Sequence, residues 1–388
     1  MAVYRYLPIP SDRMGFLWAV TNIPGVAILE FGPMGTTNFA TRHMDEAPIY
    51  STHISDSVLT FGDSRPLRRG VLELEERVHP ELIYLMQSAS TSIIGFDMDA
   101  FAAKLQPEVR ARLVPVNLSG LSGDYTQGMS LGLRSLLEAF AQPAAQHKKV
   151  FHILGASIDN TRIYAEVAEI TRLMQGAFGW EPGLILPCQA DIPRLLEVGG
   201  AGISLVIREE AAAAAGYLQE RFGVPFLQGI PLGREGTLDW LRRVGEVIGQ
   251  SPRRDFMEEE LGSLCRLPVP ELSGACVLGP GFVAGAWKRF LQEEWKVPTV
   301  QAFAFQKKYA GEDAAPYSES ALDQWIGQNR PALLLGNSVV TERDFGYPAR
   351  KIPICKPAGM PRANPPDGRG LYGWQGYRTL LACMAEAE

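Results

Sequence analysis

The feature that most constrains this chain is a plan repeated along its length: a short apolar run, a turn of glycine or other small residues, then a helix-like segment. Two such units open it. VAILEFGPMGTTNF begins at Val26, and LIYLMQSASTSIIGFDMDAF begins at Leu82. Short apolar runs alternating with helical segments predict an α/β fold built on parallel sheets. In such sheets ligands sit at the carboxyl ends of the strands. The turns after those ends are therefore the first place to look for function.

The 388 residues accommodate two or three domains, each large enough for its own core. A formal charge of −6, spread without a long basic run, argues against nucleic acid as partner. The short basic clusters at Arg65–Arg69 and Arg253–Arg254 read as solvated faces. The opening MAVYRYLPIPSDR has neither the basic nor the apolar region of a secretory signal. No apolar run approaches the roughly 18 residues needed to span a bilayer. Five cysteines, Cys188, Cys265, Cys276, Cys355 and Cys383, lie far apart without CxxC or Cys/His spacing. The expectation is a reduced cytoplasmic protein with mostly buried thiols.

In the first third the patterning predicts strands at Val26–Phe31, Val58–Phe61, Leu82–Met86 and Leu113–Val116. Helices are expected at Arg65–Val78, Met98–Leu105 and Gln127–Phe140. AQPAAQHKK, Ala141–Lys149, is polar and contains proline, and reads as a linker. A second unit follows: strand Val150–Leu154, helix Ile163–Ala177, strand Leu184–Pro187, helix Asp191–Val198 and strand Ile203–Ile207. Glu209–Phe222 is a strong helix former stopped by Gly223 and Pro225, and Leu238–Ile248 has helical apolar spacing. Ser251–Leu261 bridges to a third unit. There the order is strand Ala275–Leu278, Gly279-Pro280-Gly281, helix Phe282–Glu294, strand Thr299–Phe303, helix Ser318–Gly327 and strand Ala332–Leu335. A loop dense in proline and glycine precedes a last helix at Tyr377–Ala387. The domains are thus expected at 1–145, 146–260 and 261–388.

Several chemistries have no motif. Gly279-Pro280-Gly281 is not GxGxxG, and reads as a tight strand-to-helix turn. No GxxxxGK[ST] occurs, so no nucleotide is expected to be bound by this chain, and no GxSxG elbow occurs. Of the five histidines, His79 and His147 read as surface residues and His152 as a core or interface residue. His43 and His53 follow the first glycine turn and are the imidazoles nearest the expected site.

Taken in order, FGPMG (Phe31–Gly35), STHISDSVLTFGDSRPL (Ser51–Leu67), QSASTSIIGFDMDAF (Gln87–Phe101), FHILG (Phe151–Gly155), GYLQERFGVPFLQGIPLGREGT (Gly216–Thr237), LLLGNS (Leu333–Ser338) and WQGYR (Trp374–Arg378) span nearly the whole chain. Together they resemble component 1 of nitrogenase and its relatives. Those relatives include the dark-operative protochlorophyllide reductase, chlorophyllide reductase and the nitrogenase cofactor scaffold. The resemblance implies three Rossmann-like, doubly wound parallel-sheet domains around a central cleft. It implies assembly as a homodimer or with a homologous component 1 subunit as an α2β2 heterotetramer. It also implies electrons from a separate ATP-dependent [4Fe-4S] reductase protein, with no membrane or nucleic-acid partner.

In that family three cysteines per subunit hold an iron–sulfur cluster at the subunit interface. The resemblance places them near Pro8–Ser11, at Thr36, and at Ala89 or Ser90, and none is a cysteine here. The cluster-interface loops are thus Gly32, Pro33, Gly35, Thr36, Ser88, Ala89 and Ser90. Neutral side chains are poor substitutes for thiolates. The expectation is a [4Fe-4S]-type cluster ligated mainly by a partner subunit, with Asp45, Asp56 or Asp63 as contributors or simple turn residues. The position of the family's cofactor-holding cysteine falls at Arg208. Its guanidinium suits a carboxylate, such as an acidic substrate, or else pairs with Glu209, Glu210 or solvent. Cys188, His43 and His53 complete the expected pocket, and Asp191 reads as a helix cap. The two functional readings are a subunit of a nitrogenase-like oxidoreductase and a non-redox scaffold for a metallocofactor precursor or tetrapyrrole.

Overall fold

A computed structural model describes residues 10–33, 48–121, 123–160, 162–264, 267–306, 308, 312–355 and 369–385. These residues form three parallel sheets. The first contains β1 (Val26–Phe31), β2 (Ile49–Ser51), β3 (Leu82–Gln87) and β4 (Arg112–Val116), in spatial order β2-β1-β3-β4. The second contains β5 (Pro143–Ala156), β6 (Glu181–Pro187), β7 (Gly199–Val206) and β8 (Phe226–Gln228), in order β6-β5-β7-β8. The third contains β9 (Ala275–Gly279), β10 (Val300–Ala304), β11 (Ala315–Pro316), β12 (Leu333–Gly336) and β13 (Arg350–Pro353), in order β11-β10-β9-β12-β13.

The α/β class and the three parallel sheets are as the patterning requires. Strands β1, β3, β9 and β12 are buried along their whole length, which is why they read as unbroken apolar runs. In each sheet the order reverses at the first strand. The switch points lie between β1 and β3, between β5 and β7, and between β9 and β12.

Two expectations are corrected. Val58–Phe61 is not a strand but the end of the helix Asp56–Phe61. Val58 packs on the core while Phe61 is 83% exposed, a one-sided burial that suits a helix. The edge position in that sheet belongs instead to β2, which is too short and too exposed to show an apolar run. The expected linker Ala141–Lys149 is mostly the exposed first half of β5, which pairs with β7 through Pro143 and Lys148. Its polar residues face solvent, and Pro143 sits at the strand's first position, where a missing N–H costs no ladder bond. The expected bridge Ser251–Leu261 is largely helical, in a helix that runs Arg254–Leu264, and the last helix begins at Gly373 rather than Tyr377.

The sheets share cores. One apolar cluster joins Ile28 and Tyr84 of the first sheet to Leu154, Leu186 and Val206 of the second. Another joins Ile153 and Leu205 to Val277, Ala302 and Leu335 of the third. Between the first two sheets, the helices Asp12–Val20 and Tyr125–Phe140 touch backbone to backbone. A β carbon on Gly128 would lie 1.6 Å from the Asp12 carbonyl oxygen, and one on Gly15 would lie 1.8 Å from that of Tyr125. Glycine at both positions is what permits the crossing.

Candidate functional site

At the first switch point, the ends of β1 and β3 are tied by a backbone N–H and a hydroxyl. The Ser88 N–H donates to the Phe31 carbonyl at 3.1 Å, and Thr91 Oγ1 donates to the same carbonyl at 2.8 Å. Ser88, fully buried, caps the helix Ala89–Ile93 by accepting from the Thr91 N–H. Gly32 accepts from the Ile54 N–H at 3.1 Å, and Pro33 bridges Ile54 in parallel register. Ala89 and Ser90 are half-buried at the start of their helix. Gly35, Thr36, His43, Asp45 and the side chain of Asp56 lie outside the described residues.

Among the described residues of this edge, the donor chemistry does not fit an iron–sulfur cluster held by this chain alone. Ala89 has no donor atom, Ser90 a neutral hydroxyl, and the Ser88 hydroxyl is turned back onto Thr91. Asp63 is forked by Arg65 at 2.8–2.9 Å and accepts from its backbone N–H. His53 is exposed, in the left-handed region with φ 48°, beyond the end of β2. No group of three metal-ligating side chains occurs among the described residues.

At the second switch point a charge cluster is buried. Arg208 follows β7, and Gly155, with φ 96°, lets β5 approach it: a β carbon there would lie 3.1 Å from that of Arg208. Arg208 Nη1 donates to both oxygens of Asp159 at 2.6 and 2.7 Å. Its Nε and Nη2 form a second fork onto Glu210 at 3.2 and 2.9 Å. The guanidinium also lies 5.8 Å from the centre of the Tyr125 ring. Arg208 thus pairs bidentately with carboxylates, but with those of its own chain. Of the carboxylates weighed from sequence, Glu210 is a partner, and Asp159, 49 residues away, is one that local reasoning missed. Its only sequence signal is its place in the turn after β5.

Glu209 lies beside this pair. Burial, with the charge of Glu210 adding to it, raises its carboxyl to about 7. Its Oε2 accepts from the Phe282 N–H at 3.4 Å, at the start of the helix Gly281–Arg289 beyond β9. The third sheet's turn therefore meets the second sheet's cluster. Tyr125 reaches the same junction from the helix Tyr125–Phe140, its hydroxyl 3.4 Å from Gln306 Oε1. Glu166 is a further acid raised to about 7 by burial, held by Asn160 and facing the segment that carries Leu371.

Cys188 is packed in the core beyond β6, its N–H donating to Ala156, and burial pushes its thiol up to about 12. Asp191 caps the helix Ile192–Leu196 by accepting from the Arg194 N–H. His152 is buried between Val198 and Leu184, and burial lowers it to about 4. The structure thus brings Arg208 into one cluster with Glu209 and Glu210, and leaves Cys188 and His53 apart from it. No helix among the described residues is long and apolar enough to cross a membrane.

With this geometry in hand, comparison with known proteins gives a consistent answer. A family model described as nitrogenase component 1 type oxidoreductase matches residues 11–387. Among curated proteins, a light-independent protochlorophyllide reductase subunit from Chloroflexus aggregans is 26% identical over 314 residues, covering 74% of this chain and 57% of that protein. Its counterpart from Synechococcus is 22% identical over 256 residues, covering 61% of this chain and 50% of that protein. The chain thus spans between half and two thirds of the length of these relatives. The solved structure of nitrogenase Cp1 at pH 6.5 superposes with a TM-score of 0.76 at 16% identity, over 99% of this chain and 93% of that one. That likeness shows a shared fold.

Proposed function

Because the chain belongs to the nitrogenase component 1 type oxidoreductases, we propose that it is one subunit of a nitrogenase-like reductase. A homologous, cysteine-bearing subunit pairs with it and supplies most ligands of a [4Fe-4S]-type cluster at their interface. Electrons arrive from an ATP-dependent iron–sulfur protein, and the assembly is an α2β2 heterotetramer in the cytoplasm.

The observation that carries this reading is the carboxyl edge of the first sheet. Its turn after β3 is tied by Ser88 and Thr91, and the resemblance puts a cluster cysteine at Ala89 or Ser90, neither of which offers a thiolate. The segments after β2, β3 and β4, which follow the carboxyl ends of these strands, carry exposed apolar side chains. Phe61 is 83% exposed, Ile93 75% and Leu121 62%. Exposed apolar residues in the segments after three neighbouring strands suit the core of a permanent interface.

The test is anaerobic co-expression with a cysteine-bearing component 1 homologue and an ATP-hydrolysing iron protein. A stable complex whose cluster is reduced only when ATP is hydrolysed supports the proposal. Failure of the two homologous subunits to associate sinks it. The loss of cysteines at all three cluster positions favours one second reading, a non-redox scaffold for a metallocofactor precursor or tetrapyrrole. In that case the chain associates with no reductase and undergoes no ATP-dependent reduction.

A further inference from the structure

The last helix, Gly373–Ala385, is apolar over a wider arc than the core covers. Trp374, Tyr377 and Leu380 recur at helical spacing and are 2% exposed or less. A second stripe, Arg378, Leu381, Ala382 and Ala385, follows the i, i+3, i+4, i+7 pattern and is nowhere fully buried. Facing it is the segment 267–270, Leu-Pro-Val-Pro, which lies between the helix Arg254–Leu264 and β9. Its two prolines have no N–H to give a ladder, and it joins neither helix nor strand. Val269 is left 44% exposed.

Between these two walls lies a groove of about 510 Å³. Its lining is aliphatic except for Ser263 and a single ionic side chain, Arg378. Arg378 is incompletely bonded. Its Nη2 donates to Ser263 Oγ, while Glu260 Oε2 lies 3.6 Å away, beyond hydrogen-bond range. Glu260 is held instead by Arg172 Nη1, at 2.6 Å from its other oxygen. The Nη1 of Arg378 has no hydrogen-bond partner among the described residues, and its side chain is 31% exposed.

We propose that this groove binds a free aliphatic carboxylate, with the hydrocarbon chain between Leu381, Ala382 and Val269 and the head group on Arg378. An apolar groove holding one cation is complementary to an amphipathic anion. A carboxylate offers the guanidinium two acceptors in its own plane, where Ser263 offers one. The groove's size also selects a small molecule over a protein. It falls within the range of ligand pockets, about 300–1,000 Å³, whereas a stable protein interface needs about 800 Å² from each partner.

The inference does not rest on the redox reading. None of the residues lining the groove belongs to the first sheet or to the Arg208 cluster. Burying the chain supplies affinity that grows with its length, and the charged hydrogen bonds at Arg378 discriminate an acid from an alcohol.

The probes are octanoate, 1-octanol and butanoate, and binding to the full chain is measured by calorimetry at neutral pH. Octanoate is expected to bind, with 1-octanol about tenfold weaker because it lacks the charged head. Butanoate, four methylenes shorter, is weaker than octanoate by about tenfold or more. Arg378→Gln lowers octanoate to the level of 1-octanol, and Arg378→Lys recovers part of the loss. Ala382→Trp fills the groove and abolishes binding of both. Phe61→Lys with Ile93→Lys, which removes exposed apolar side chains outside the groove, leaves octanoate binding unchanged. Absent octanoate binding, equal affinity for octanoate and 1-octanol, or octanoate binding that survives Ala382→Trp overturns the proposal. So does self-association of the chain in sedimentation that Ala382→Trp breaks, since a second copy is then the occupant.

Discussion

Arg208 grips Asp159 through Nη1 at 2.6 and 2.7 Å, joining the ends of β5 and β7 across the second switch point. With Glu210 in its other fork, one cation serves two carboxylates at a site only about 5% exposed. Removing the cation from such a group leaves charges buried without compensation, which costs about 3–5 kcal/mol. Arg208→Ala is expected to lower the stability by that amount in urea unfolding. Arg208→Lys recovers only part of it, because an ammonium cannot fork onto both partners. A loss below about 1 kcal/mol for Arg208→Ala contradicts the buried pairing.

The crossing of Asp12–Val20 over Tyr125–Phe140 makes a sharper prediction. Gly128→Ala places a methyl 1.6 Å from a backbone oxygen, where no side chain can move aside. The helices must separate, at a cost of about 3 kcal/mol or more. Gly236→Ala, in an open helical position with nothing within 4 Å, is the control and should be neutral or slightly stabilising. Thermal melts of the two variants decide the matter.

Glu166 predicts a pH dependence with a defined sign. Burial raises its carboxyl from the ordinary 4.5 to about 7, so the folded chain binds a proton that the unfolded chain releases. Its contribution is fully present below pH 4.5 and is lost as pH rises through 7, a change of about 3 kcal/mol. Glu166→Gln therefore gains stability relative to the native chain at pH 8.5 and loses that advantage at pH 4.5. A constant difference between the two proteins across this range contradicts the assignment.

The exposed apolar residues in the segments after the strands of the first sheet predict a separation of folding from assembly. Phe61→Lys with Ile93→Lys should leave the isolated chain's stability within about 0.5 kcal/mol, as surface changes do. The same pair should abolish association with the co-expressed homologous subunit in sedimentation experiments. Unchanged association moves the interface elsewhere.

How far the sequence revealed this molecule depends on how local the determinants are. Val26–Phe31 and Leu82–Gln87 are buried on both faces and could be read directly as strands. Ile49–Ser51 could not, because a three-residue half-exposed strand carries no periodicity. Pro143–Lys149 was hidden by its polar residues, which are the solvent side of a strand whose pairing is set by Gly199 and Ala201. At the site, Arg208 stood out as a cation at a strand end. Its partner Asp159 and the reach of Glu209 to Phe282 are tertiary relations with no local signature.

The central proposal is that this chain does not hold an iron–sulfur cluster by itself, because the resemblance places two of the family's cluster cysteines at Thr36 and at Ala89 or Ser90, and none of these is a cysteine. The most direct measurement is the iron and sulfide content, with the visible spectrum, of the chain purified alone without oxygen and again as a complex with its cysteine-bearing homologue. The account predicts substoichiometric iron and no cluster absorption for the single chain, and a stoichiometric cluster for the complex. A single chain that retains stoichiometric iron and sulfide with a cubane spectrum would contradict it.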